Sequence, residues 1–152
     1  MFDNLAGAFR DLSDVNYLKC LADSSNAQTE FRFFPTSTAS GVYGVFSLWN
    51  KQFEQQYFLN MRSTLQPNSL PSLTLSTPTN QNIFPDSQQV ELTYQLNVPH
   101  TRTDLPKTLH GKMQVVVVLD RRSGFWYIRR WTDIALNQTD ATWSDAKGVF
   151  GQ

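Results

Sequence analysis

This chain of 152 residues has one cysteine, five lysines and no long hydrophobic run. The lone Cys20 excludes an internal disulfide. Its setting, Val15-Asn16-Tyr17-Leu18-Lys19-Cys20-Leu21, reads as an apolar-spaced segment in which it is a small buried hydrophobe. Neither histidine is near it in sequence, so a catalytic thiol would lack its base. No stretch approaches the roughly 20 apolar residues of a membrane-spanning helix, and the longest run, Val115 to Leu119, has the length of a strand core. Charge is also scarce: 13 basic and 13 acidic residues cancel. The densest basic clusters, Arg121-Arg122 and Arg129-Arg130, are too small for the phosphate contacts that nucleic-acid binding needs, so no nucleic-acid partner is expected. The opening segment MFDNLAGAFRD lacks the basic and apolar regions of a signal peptide. Uncharged polarity takes the place of charge: Ser, Thr, Asn and Gln total 49. A Lys-poor, Gln/Thr-rich surface is commoner outside the cytoplasm, so an extracytoplasmic location is expected.

Hydrophobic residues make up 40% of the chain and aromatics 13%, ample for one packed core, and residues 1–152 are read as a single domain. Phe2, Leu5, Phe9 and Leu12 recur at helical spacing behind Asp3, and Val15, Leu18 and Leu21 form the stripe of a second, short helix. Thr29–Phe34 reads as a short strand stopped by Pro35. From Val42 to Leu65 the apolar positions Val42, Val45, Phe46, Trp49, Phe53, Tyr57 and Met61 keep a 3.6-residue period and predict the longest helix. Lys51, Glu54, Gln55 and Arg62 fall on its wet side.

After Pro67 the period becomes two. Strands are predicted at Leu70–Thr77, Val90–Val98, Thr108–Asp120 and Phe125–Leu136, the last two joined by a tight turn at Arg121–Gly124. Thr142–Phe150 predicts a one-turn helix followed by an apolar anchor. Val115–Val118 is apolar on both faces, so both faces need cover: one from the long helix, the other from the returning tail or from a second subunit. A homodimer through the sheet is the expected solution.

The element order is helix, short helix, strand, long helix, then long antiparallel strands ending in a Trp-rich hairpin. It resembles the cone-shaped nuclear transport factor 2-like fold of ketosteroid isomerases and SnoaL-like cyclases. The segments Tyr17-Leu18-Lys19-Cys20-Leu21, Phe31-Arg32-Phe33-Phe34-Pro35, Trp126–Asp133 and Trp143-Ser144-Asp145-Ala146-Lys147 are most similar to small extracytoplasmic bacterial domains, which often follow a lipoprotein signal. The resemblance implies an α+β architecture in which helices pack against a curved antiparallel sheet. One fold hosts many functions.

Such a cone implies a pocket, and its expected lining is Tyr17, Trp49, Phe53, Tyr57, Tyr94, Trp131 and Asp133. Trp49 and Trp131 would face each other from helix and sheet, with Tyr57 near the opening. Asp133 is the one carboxylate inside an apolar strand. In the pocket it would have a raised pKa and form, with Tyr57, a candidate acid–base pair. Outside the pocket it would pair with Arg129 or Arg130 or face water. The strand before the long helix holds Glu30 and Arg32 among phenylalanines rather than the Asp/Tyr/His set of the isomerases, which counts against that chemistry. His100 and His110 are isolated, at no metal-ligand spacing, and are expected to be exposed; no metal or cofactor is implied. No phosphate-loop, dinucleotide or nucleophile-elbow motif occurs. The expected function is a non-catalytic binding or interaction domain with a small apolar ligand. The alternatives are a small-molecule isomerase, dehydratase or cyclase, and a structural subunit of an envelope assembly.

Overall fold

The computed structural model describes residues 1–152, the side chain of Asn80 excepted. Its elements are α1 (Phe2–Arg10), α2 (Asp14–Leu18), β1 (Arg32–Phe34), α3 (Ser37–Val42), α4 (Lys51–Ser63), β2 (Ser72–Leu75), β3 (Thr79–Phe84), β4 (Ser87–Asn97), β5 (Thr108–Asp120), β6 (Phe125–Ile134) and α5 (Trp143–Phe150). The strands form a sheet in the order β1-β6-β5-β4-β2, with β3 pairing β4 as well. Strands β5 and β6 are antiparallel and pair from Asp120↔Phe125 to Lys112↔Ile134. Gly124 closes their turn at φ +75°, a conformation that costs glycine nothing.

Three local expectations fail for identifiable reasons. The helix expected over Val42–Leu65 is realised only as α4 from Lys51 to Ser63; Val42 is instead the last residue of α3, and residues 43–50 are not helical. Tyr43 is extended (φ −109°, ψ 122°), and Asn50 restarts the helix, its Oδ1 accepting from the backbone N–H of Gln52 and Phe53. Apolar residues spaced by three and four continue across the break and imitate one helix. Strand β1 runs parallel to β6, Arg32 beside Arg130, so the sheet is mixed rather than wholly antiparallel. The long excursion through α3, α4 and four strands supplies the crossover that parallel neighbours need. Strand β3 is largely polar, held by its ladder to β4, and carries no alternation to reveal it.

One sheet face is buried: Val90, Leu92, Tyr94 and Leu96 on β4, Met113, Val115 and Val117 on β5, and Ile128 and Trp131 on β6. Helices α1, α4 and α5 close over it; Phe9, for example, packs against Phe58 and Trp143 at ring separations of 5.3 and 5.4 Å. A β-bulge leaves Arg129 unpaired between Val117↔Ile128 and Val116↔Arg130, which sharpens the twist and curls the sheet around these helices. The tail therefore lies on the same face as α4. Val116 and Val118 point the other way and remain half-buried, beside Tyr127, Arg130 and the 42%-exposed Phe34.

Candidate functional site

The interior of the curled sheet is built around a charge. Glu54 lies on α4 and Lys147 on α5, both fully buried, and the Lys147 ammonium donates to Glu54 Oε1. Glu54 falls inside because α4 starts at Lys51, which makes Glu54, Tyr57, Phe58 and Met61 the inward stripe at i, i+3, i+4 and i+7. Two further donors hold the carboxylate. Trp49 Nε1–H reaches Oε1 at 2.8 Å, and the Tyr17 hydroxyl reaches Oε2 at 2.8 Å.

Aromatic faces surround the ammonium. Lys147 Nζ stands 3.8 Å from the ring centre of Phe33 and 4.1 Å from that of Trp131. Trp49, Tyr57 and Trp143 lie at 5.7–5.9 Å. A desolvated cation over such faces gains about 2 kcal/mol per good contact. Burial nevertheless dominates and lowers the Lys147 pKa from 10.5 to about 8, against the pull of Glu54.

A second polar knot anchors the start of α5. Asp133 Oδ1 accepts from the Tyr94 hydroxyl at 2.7 Å, and Oδ2 accepts from Ser144 N–H and Oγ–H at 2.7 and 2.5 Å. Tyr94 in turn accepts from Trp143 N–H at 2.8 Å. Burial raises the Asp133 pKa, while the bonds from Ser144 and Tyr94 pull it down. Asp133 thus holds a helix terminus and meets neither Arg129 nor Arg130. Tyr57 is fully buried away from any opening; its oxygen accepts from Trp143 Nε1–H at 3.0 Å. Burial raises the pKa of Tyr17, Tyr57 and Tyr94 alike.

No protein-family model matches the chain, and no curated protein matches it in sequence. Solved structures match it in shape. A nuclear transport factor 2-like superfamily protein from Salmonella enterica has a TM-score of 0.62 at 12% identity, over 91% of this chain and 87% of its own. A protein provisionally assigned as a scytalone dehydratase from Novosphingobium aromaticivorans scores 0.63 at 13% identity, over 93% and 86%. LinA scores 0.60 at 8% identity, over 87% and 78%. The chain has the nuclear transport factor 2-like cone fold.

In this cone, six of the seven expected pocket residues, Tyr17, Trp49, Tyr57, Tyr94, Trp131 and Asp133, come together in the interior, and α5 packs among them. Phe53 stays at the rim, 37% exposed and stacked on Trp49 at 5.4 Å. The fit around α5 is tight: a Cβ at Gly148 would lie 2.3 Å from the Tyr43 ring, and one at Gly151 2.3 Å from the Trp49 ring. Two open clefts lie elsewhere. One of about 800 Å³ runs between α1 and the β5–β6 turn, bordered by Lys19, Lys51, Phe125 and Trp126. Another of about 630 Å³ lies beside α3 and the β6–α5 loop, and of the expected residues only Asp133 borders it.

Sequence reasoning missed the central pair. Glu54, expected on the wet face, is fully buried, and the register that α4 takes from its Asn50 cap is what turns it inward. Lys147 sits between Ala146 and Gly148 on a short amphipathic helix, where nothing local distinguishes it from a solvated lysine. His100 is also a correction: it is fully buried against Phe150, with Nε2 3.3 Å from the Pro106 carbonyl, because residues 64–66 and 98–101 pair and draw it in. His110 is exposed. Among the described residues, no group of three or more His, Cys, Asp or Glu is placed to hold a metal ion, and no helix is long and apolar enough to cross a membrane.

Proposed function

We propose that this chain is a non-catalytic interaction domain that pairs with a second copy of itself through the outer face of its sheet. The observation that carries the reading is the engagement of every candidate reagent. Asp133 is 2% exposed and accepts three hydrogen bonds, all within the fold, and the Tyr57 oxygen is occupied by the Trp143 indole. A general acid or base must reach the proton it moves; the Tyr57 oxygen is sealed inside, and both Asp133 oxygens are already committed to donors of the fold. The outer face has the reverse character, with Val116, Val118 and Tyr127 half-buried and Phe34 exposed. Light scattering at micromolar concentration tests the pairing. A dimeric mass that falls to the monomer in Val116→Lys/Val118→Lys supports it, and a monomeric wild type sinks it.

One observation favours the isomerase, dehydratase or cyclase alternative: Asp133 borders the 630 Å³ cleft with Tyr43, and burial raises its pKa in the direction a general base needs. Turnover of a small carbonyl or hydroxylated ring compound, abolished by Asp133→Asn in a folded protein, would promote that reading. An extracytoplasmic location is proposed from the Lys-poor, Gln/Thr-rich composition and a lipid anchor from the resemblance to extracytoplasmic bacterial domains, while a role as an envelope subunit is a separate alternative. Fractionation of the source cells tests them.

A further inference from the structure

The Lys147 ammonium fills a receptor that the rest of the chain builds without it. Of the five rings around Nζ, four (Phe33, Trp49, Tyr57 and Trp131) lie outside α5. The carboxylate is oriented from outside α5 as well, by Trp49 Nε1–H and the Tyr17 hydroxyl. A carboxylate set among aromatic faces is the arrangement that recognises organic ammonium ions. The Trp131 Nε1–H on the same wall is buried and has no hydrogen-bond partner. Packing alone does not call for an ion pair here, because apolar side chains in place of both Glu54 and Lys147 would fill such a volume without desolvating charges. Within the connection from β6 to α5 the segment Leu136–Thr139 is exposed, and withdrawal of the helix requires release of the bonds that Asp133 and Tyr94 make to Ser144 and Trp143 at its start.

We propose that the cone interior is a binding site for a small protonated primary amine, held in cis by Lys147 and freed when α5 withdraws. Beyond Cβ the lysine contributes three methylenes and an ammonium, so propylammonium has the shape of the missing piece. The proposal is independent of pairing through the outer face, since its readouts are amine-specific and a change of mass is not among them.

The test uses the full chain. Lys147→Ala is titrated with propylammonium chloride at pH 7, with 1-propanol and sodium chloride as controls, by thermal unfolding and tryptophan fluorescence. The expected result is a saturable rise in Tm that neither control gives and that is lost in Lys147→Ala/Glu54→Gln. A response no larger than that to 1-propanol means that the cage is merely a hole, and the proposal falls. Should Lys147→Ala fail to fold alone, refolding yield from urea with and without propylammonium gives the same readout. In the wild type, exchange of the α5 amides should accelerate with propylammonium concentration while that of the β4–β5 ladder stays constant. Unchanged α5 exchange would overturn the displacement.

Discussion

The two faces of the sheet solve opposite problems. The inner face buries polar groups and gives almost all of them a partner: Glu54 has three donors, Asp133 three, and Tyr94 both donates and accepts. The outer face mixes the charged residues Arg32, Glu91, Lys112 and Arg130 with β-branched and aromatic side chains that stay half-covered beside Gln89, Gln114 and Thr132. A buried polar network is stable only as a closed set, because one missing partner leaves a desolvated group behind. A half-apolar surface loses little when one residue changes. The interior should therefore be brittle and the exterior tolerant, and this contrast can be tested in order of expected effect.

The largest effect should come from breaking the buried pair. Lys147→Met leaves Glu54 as an uncompensated charge and should cost about 3–5 kcal/mol, read by urea unfolding. Adding Glu54→Gln should return most of that loss. If the double variant were as unstable as the sum of its parts, the pair would not be a unit.

Trp143→Ala should follow closely, at about 3–5 kcal/mol. It removes a fully buried side chain packed 4.4 Å from Trp131 and frees the Tyr57 hydroxyl. Asp133→Asn should cost less, about 1–3 kcal/mol. The amide keeps one acceptor but turns a donor toward Ser144 or Tyr94.

The pH dependence sharpens the same contrast, since the titrating groups are interior ones. The Lys147 pKa falls from 10.5 to about 8 because of burial, so above pH 8 the folded protein releases a proton that the unfolded chain keeps. The unfolded state then binds more protons, and stability rises with pH by at most about 1.4 kcal/mol per unit. Burial raises Cys20 from 9.0 to about 11, and it raises Tyr17, Tyr57 and Tyr94 as well. Those groups hold protons that the unfolded chain has lost, so stability falls again as they come into play. Urea midpoints should pass through a maximum near pH 9, set by where the Lys147 and Cys20 windows meet. Lys147→Met should erase the rise and keep the fall. On the outer face, Val116→Lys should shift monomer stability by no more than about 0.5 kcal/mol, within the range of ordinary surface changes. A cost comparable to that of the interior variants would end the contrast.

Much of this was legible in the residues themselves. Alternation over Val90–Val98 and Thr108–Asp120 predicts strands β4 and β5, and Gly124 predicts the turn, because period and φ are local properties. Of the residues expected to line a pocket, Tyr94, Trp131 and Asp133 face inward as strand alternation predicts, and Tyr17, Trp49 and Tyr57 join them from helices and loop, while Phe53 stays at the rim. The sequence by itself determined the α+β class, the hairpin and the inward aromatics of the strands. Only the tertiary structure decided that the apolar run from Val42 is broken at Tyr43, that Glu54 turns inward, and that α5 returns over the inner face to place Lys147 against it. A capping bond at Asn50 sets a helix register that hydrophobic spacing does not encode. A buried ion pair between residues 93 positions apart is worth its desolvation only once both sides of the cage are assembled.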